Sequence, residues 1–428
     1  MTQIPSSKTP LSVERARDIL LERTKLLPTE QISLEESYGR VLAKDIASDM
    51  DISPFDNSGM DGFAVRFADF EAAGPTADAP LTLGIVGVIA AGEVFAGTLQ
   101  AGQALRIMTG APMPAGADTV LKIEDTTVLG QSDERPEGSE LVCTTMPKYQ
   151  QHVRRKAEEA HKGDVLLHHG DRVSAAGAGL LAATGNAELL VYRRPRGAII
   201  STGSELVPVT ALPGPGQIRN SNSYSLAAAV SDAGGIPTIM PSVEDTLVAL
   251  CSALEAAVGD HDFVITSGGA ADGDFDFITL AMRELGELFF SKVNMKPGKS
   301  QIFGLIADTP VFGLPGNPGA ASVGFEVLIR PALRRMQGIT LLDRPLVQAA
   351  LVGDMKKPPE TRRCYLRAQL SRATDGRYLV AQDANQSSAL LGALHRSNCL
   401  LIVPEGQAAP LAGDLVDCLR LDVEEGTL

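Results

Sequence analysis

Residues 264–276 read VITSGGAADGDFD. A β-prone run stops at Gly268 and Gly269, and Asp272, Asp274 and Asp276 follow at once. Glycines accept positive φ and let a ligand approach the backbone closely. The helix expected after Asp274 would offer free N–H groups, which suit a phosphate or carboxylate. The aspartates pull the other way, since two carboxylates about 4 Å apart repel by about 4 kcal/mol at an effective dielectric near 20. A divalent cation between them removes that conflict, and Mg2+ takes one or two carboxylates together with substrate oxygens. Helix capping is the competing account, with Asp274 as N-cap and Asp276 in the first turn. Capping explains one or two of the three acids. Metal and capping together explain them all, with Asp276 the favoured ligand.

Four other polar or glycine-rich motifs follow apolar runs in the same region: residues 201–205 (STGSE), 244–245 (ED), 296–299 (KPGK) and 315–318 (PGNP). In an open α/β sheet, ligands bind beyond the carboxyl ends of the strands. The five motifs are therefore expected on one rim, with Lys296 and Lys299 adding positive charge. The 315–318 loop leads into a helix and offers a second helix N-terminus. Far upstream, residues 54–65 (PFDNSGMDGFAV) pack turn formers around Asp56 and Asp61, and residues 106–112 (RIMTGAP) end a strand at Thr109. An Asx-turn scaffold is the alternative for the first of these. It is not a calcium loop, which would need glycine at 61 and glutamate at 67 where Asp61 and Phe67 stand. Gly298-Lys299-Ser300 resembles the end of a P-loop, but position 293 is valine. No G-x-S-x-G is present.

The elements that must position these residues alternate from residue 197 onward. Strands at RGAIIST, IPTIM, DFVITS, ELFFSKV, QIFGLI and TPVFGL are separated by helices opening near Asn222, Asp245 and Phe275, and a long helix spans 318–336. This pattern predicts a doubly wound, mostly parallel sheet. Ser12 caps a predicted helix over 12–27. Residues 81–145 are short β-prone runs between turns, and residues 341–428 return to that pattern. The predicted class is α/β plus β in a multidomain protomer. The expected divisions are an N-terminal helix at 1–28, a linking domain at 29–53 and 146–185, and a β-rich domain at 54–145. An α/β domain at 186–340 and a small C-terminal β domain at 341–428 complete the chain.

Composition narrows the function. The 428 residues carry a net charge of −14, which disfavours nucleic acid as the main partner. There is no tryptophan and aromatic content is 4 %, a poor basis for stacking bases. No apolar stretch reaches the roughly 18 residues of a membrane span. The five cysteines are scattered without a C-x-x-C pair, so neither zinc nor a disulfide framework is expected, and a reducing cytoplasm is. His168 and His169 are read as a strand end.

The motifs PFDNSGMDGFAV, RIMTGAPMP, STGSEL, VITSGG, KPGKS and GLPGNP, in this order over nearly the whole chain, resemble the molybdopterin molybdenumtransferases, the family of bacterial MoeA and the gephyrin E domain. The resemblance implies an elongated protomer in a homodimer with shared active sites. It implies insertion of molybdate into the dithiolene of adenylylated molybdopterin, with Mg2+ as cofactor and release of AMP. Partners of that role include a molybdopterin adenylyltransferase and apo-molybdoenzymes. On this sequence, Asp61 and Thr109 match active-site positions that face the sheet domain of the other protomer. Glu205, Asp276, Lys296 and Lys299 match positions around the pyrophosphate, metal and molybdate. Ser267, Gly268, Gly269, Pro315, Gly316, Asn317 and Pro318 match the pterin-phosphate cradle. Asp276, Asp274 and Glu244 are the expected metal ligands.

The chain departs from the family pattern in places. Ser204 replaces the aspartate of STGDEL, and Glu244 stands where aspartate is common. Ala270-Ala271-Asp272-Gly273 replaces V-S-x-G, and Gly319-Ala320-Ala321 replaces V-S-A. Ala157-Glu158-Glu159 replaces Gly-Glu-Asp, and Ser397-Asn398-Cys399 replaces Ala-Asn-Gly. Two alternatives to an insertase stay open at this point: a Mg2+-dependent nucleotide pyrophosphatase of the CinA-like kind, and a non-catalytic molybdopterin carrier.

Overall fold

The computed structural model describes residues 9–130, 137–269, 277–355 and 360–423. Strand Phe263–Ser267 is buried along its whole length, as a strand covered on both faces must be. It runs parallel to Arg196–Ser201 on one side and to Thr309–Leu314 on the other. Ile236–Ile239 extends the sheet in parallel. Ser300–Ile306 and then Glu287–Lys292 continue it beyond Thr309–Leu314, each antiparallel to its neighbour. Ser300–Ile306 alone therefore runs against the other five strands. Period-2 alternation divides the side chains between two cores. Ile199 and Ile265 pack with Val13, Ile19, Leu20 and Leu333. Ala198, Ile200 and Val264 pack with Leu250, Leu254 and Met282 on the opposite face.

The predicted helices hold, with shifted ends. Ser12 accepts from Arg15 N at 3.2 Å, but the helix runs Val13–Arg23 and stops short of Leu27. The helix after residue 245 is capped by Thr246, which accepts from Ala249 N, so Asp245 is not the cap. The helix from Pro318 is continuous to Met336 but widens over Phe325–Ile329, where Pro331 has no N–H to donate back.

Upstream, a six-stranded sheet has the order Thr119–Lys122, Gly62–Val65, Gln103–Ile107, Leu81–Ile89, Glu140–Cys143, Thr127–Leu129. At the C-terminal end, Arg363–Arg372, Tyr378–Gln382, Leu346–Leu351, Leu415–Arg420 and Cys399–Val403 close on themselves. The ring shuts because Arg363–Arg372 pairs with both Tyr378–Gln382 and Cys399–Val403. Closure leaves the barrel without free edges. The short strand Met295–Lys296 joins it from the α/β unit, parallel to Arg363 and Cys364. Leu11 is laced into the same seam: Leu11 N donates to Lys292 O at 3.0 Å, Asn294 N to Leu11 O at 2.7 Å and Arg363 N to Asn294 O at 3.1 Å. All five cysteines are free thiols. Among the described residues no helix is long and apolar enough to cross a membrane.

Candidate functional site

A cavity of about 270 Å³ opens beyond the carboxyl ends of Arg196–Ser201 and Phe263–Ser267. Ser201, Thr202, Glu205, Asn222, Asp245, Ser267, Gly268, Gly269, Gly316 and Pro318 are among its lining residues, and Arg219 is the cation among them. Local chemistry explains how these segments meet. Gly268 and Gly269 have φ of +97° and +66°, and a Cβ on Gly268 would lie 2.3 Å from the Thr202 carbonyl. Only glycine lets the third strand's loop rest on the first strand's end. Asn222 then ties two loops together, donating through Nδ2 to Ser267 Oγ and to Gly316 O, both at 2.8 Å. Ser201 Oγ lies 2.7 Å from Ser223 Oγ, and Asn220 Nδ2 donates to Ser223 Oγ at 3.0 Å. Among the described residues, two buried atoms of this network have no partner: Thr202 Oγ1 and Asn222 Oδ1. A buried polar atom left unpaired costs about 1–3 kcal/mol, so the cavity is built to receive polar groups.

The upstream motifs converge as well. The antiparallel register Gly62↔Ile107 sets the residues just outside it side by side. Asp61 Oδ1 accepts from Thr109 N at 2.7 Å and from Thr109 Oγ1 at 2.8 Å. The Thr109 amide first, and then its hydroxyl, hold the Asp61 carboxyl below its ordinary range. Asp56 instead accepts from Lys156 N and from Arg155, at 2.7 and 2.8 Å. The dense 54–65 stretch is thus part scaffold and part presented acid. Beside it lies an open groove of about 550 Å³ lined by Phe55, Asn57, Gly110, Arg154 and Glu158 among others, all from residues 52–159.

The lysine turn sits differently from the expected rim. Lys296 lies at the barrel seam and donates to Glu360 Oε2 at 2.5 Å, and neither Lys296 nor Lys299 is among the cavity's lining residues. Pro315 is buried beneath the loop. Asn317 O accepts from the amides of Ala320 and Ala321. The helix N-terminus at Pro318 is not open to an anion at residue 319, whose N–H donates to Ser388 O of the barrel unit at 2.7 Å. Glu244 is exposed, and its neighbour Asp245, freed from capping, lines the cavity in its place. Asp274 and Asp276 lie outside the described residues. Among those described, no group of three or more His, Cys, Asp or Glu is placed to hold a metal.

Three family models match in series. The MoeA N-terminal region (domain I and II) covers residues 11–185, the "Probable molybdopterin binding domain" residues 198–335, and the MoeA C-terminal region (domain IV) residues 349–421. The molybdopterin molybdenumtransferase of Bacillus subtilis is 36 % identical over 425 residues, covering 98 % of this chain and 96 % of the relative. That of Staphylococcus epidermidis is 33 % identical, covering 96 % of each. The chain belongs to the MoeA family. The crystal structure of the molybdopterin biosynthesis MoeA protein from Pyrococcus horikosii superposes with a TM-score of 0.79 at 30 % identity, over 96 % of this chain and 99 % of that one.

Against the MoeA pattern, one departure carries backbone strain and one has a steric reason. Ala157 has φ of +59°, the left-handed region that favours the glycine frequent there. Gly319 faces the barrel, where a Cβ would lie 2.7 Å from Arg367 Nη1 and 2.9 Å from Ser388 O. Arg367 is fully buried and reaches the carbonyls of Ser387 and Asn385 at 3.1 and 3.4 Å. Thr202 and Asp245 lay within rim motifs read from sequence without being named as site residues, and Asn222 was marked only as a helix start. The signal available for Asn222 was the run Asn220-Ser221-Asn222-Ser223, four capping-type residues across the start of one helix when one cap suffices.

Proposed function

We propose that this MoeA-family chain is a molybdenum insertase. It transfers molybdenum from molybdate into the dithiolene of adenylylated molybdopterin and releases AMP. The observation that carries this reading is the coexistence, in one chain of the family, of the Asp61–Thr109 pair and a sheet cavity whose buried Thr202 Oγ1 and Asn222 Oδ1 have no partner among the described residues. Ser267, Gly268, Gly269, Gly316 and Pro318 form the phosphate and pterin side of the site. Thr202 Oγ1 donates to a phosphate oxygen. Asn222 Oδ1 accepts from a ligand N–H, as the pterin ring supplies. Lys296 and Lys299 receive the molybdate dianion. Positioning and charge neutralisation carry the rate, and no covalent nucleophile of the protein is required.

The donor set fits Mg2+. Glu205 and Asp245 both line the cavity, Thr202 Oγ1 adds a third hard oxygen, and Mg2+ needs only one or two carboxylates besides substrate oxygens. Asp276 and Asp274 complete the proposed ligand set. When bound, Mg2+ supplies Lewis acidity at the phosphoanhydride.

The protein works as a cytoplasmic homodimer with shared sites. Support comes from the make-up of the sheet cavity, whose described lining residues all fall between 201 and 318 and include neither Asp61 nor Thr109, which belong to the upstream sheet. The test is AMP release from adenylylated molybdopterin with Mg2+, with and without molybdate. Molybdate-dependent release is expected. Release indifferent to molybdate would make the chain a pyrophosphatase, and tight binding with no release would make it a carrier.

A further inference from the structure

Lys296 is held at the seam between the α/β sheet and the barrel. Met295 lies opposite Arg363 and Lys296 opposite Cys364. That register brings the residues preceding the barrel strand beside the lysine turn. Glu360 uses both oxygens there. Oε2 accepts from Lys296 Nζ at 2.5 Å and from Arg362 Nη2 at 3.4 Å, and Oε1 accepts from Arg362 Nε at 3.2 Å. Lys296 and Arg362, with Arg362 counted second, hold the Glu360 carboxyl down to about 2, so it is a full anion at any working pH. The next cation along, Arg363, has carboxylates of its own in Glu14 and Glu405. The side chains of Lys296 and Arg362 remain 42 % and 29 % exposed, within reach of a solute. Two accessible cations that converge on one carboxylate match the oxygens of a tetrahedral oxyanion as well as those of Glu360.

We propose that Glu360 is a built-in competitor for the oxyanion substrate: its carboxylate occupies Lys296 and Arg362 in the free protein and swings away when molybdate takes its place. The inference rests on the reading of Lys296 as part of the molybdate-receiving set. The exchange favours the substrate because a dianion gains more from two cations than a carboxylate does. Tethering gives Glu360 a high effective concentration, so weakly bound monoanions are displaced and the molybdate threshold rises. Glu360 thereby sets affinity and anion selectivity and leaves the chemistry of insertion alone.

The experiment is calorimetric titration of sodium molybdate onto the full-length wild type, Glu360→Gln and Glu405→Gln, alongside kcat and KM for molybdate in AMP release. In Glu360→Gln, Kd and KM should both fall about three- to tenfold with kcat unchanged. Glu405→Gln removes a carboxylate from Arg363 but none from Lys296, and should leave both constants within about twofold. Unchanged or weaker binding in Glu360→Gln, equal tightening in Glu405→Gln, or no binding by any of the three overturns the proposal. A wild type that binds molybdate yet releases no AMP overturns the proposed function instead, and the ratio of Kd values still decides the role of Glu360.

Discussion

Asp61 and Asn222 are both fixed by two hydrogen bonds, and the bonds leave them in opposite states. Asp61 takes the amide and hydroxyl of Thr109 on one oxygen, and the residue is exposed. Asn222 gives both bonds through its nitrogen to the protein, and its oxygen is buried with no partner among the described residues. The upstream half is a finished charge on display. The cavity half is a set of buried groups that a ligand must complete. A site divided this way suits assembly from two surfaces, one that presents charge and one that encloses the substrate.

The strongest way to break that comparison is to separate the halves genetically. Asp61→Ala and Glu205→Ala should each lower molybdate-dependent AMP release by about a hundredfold or more. Mixed dimers carrying one variant on each protomer should regain about half the wild-type rate if sites are shared. No regain would place both halves in one chain. Next in size, Asn222→Ala should raise KM for adenylylated molybdopterin about tenfold, since it removes the tie between Ser267 and Gly316. A KM that does not move would mean that the cavity is not the substrate's. Gly319→Val should cost about 1–3 kcal/mol in urea unfolding, because its side chain meets Arg367 and Ser388. Ala157→Gly should stabilise the upstream unit by about 0.5–1 kcal/mol in the same assay.

The smallest effect is electrostatic. Asp61 has a depressed folded pKa, so its pairing contributes stability above its ordinary value of 3.8 and loses it as pH falls through the lower folded value. Thr109→Ala removes the hydroxyl and keeps the amide. Its Asp61 titration, followed by carboxyl NMR, should move up yet stay below 3.8. No movement would make the hydroxyl a bystander.

What the sequence made legible were groups whose role is local. Gly268 and Gly269 end an apolar run, and their positive φ follows from what glycine permits. Asp61 leads into one strand and Thr109 follows the end of another, so each could be marked, although their meeting depends on a register between segments 48 residues apart. Asn222 was hidden because an asparagine at a helix start looks like a cap. Its bonds reach residues 45 and 94 positions away, and no periodicity encodes such distances. Lys296 was visible as charge, but its partner Glu360 comes from the barrel segment 64 residues later. The departure at residue 157 was visible too, while its φ of +59° needed the folded backbone. The doubly wound sheet was the easiest part, because two buried faces write themselves into uninterrupted apolar strands.

The lacing of Leu11 between Lys292, Asn294 and the start of the barrel has a consequence in time. Leu11 and Arg363 are 352 positions apart, taking 363 minus 11. A ribosome extending a chain at about 5–20 residues per second needs roughly 20–70 seconds to cover that distance. For most of that interval the apolar stripe of Val13, Ala16, Ile19 and Leu20 waits uncovered, until the sheet and the helix ending at Met336 have emerged to bury it. Nascent chains of this protein should therefore depend on a holding chaperone until the helix ending at Met336 has emerged, and should lose the remaining dependence once Arg363 can close the seam.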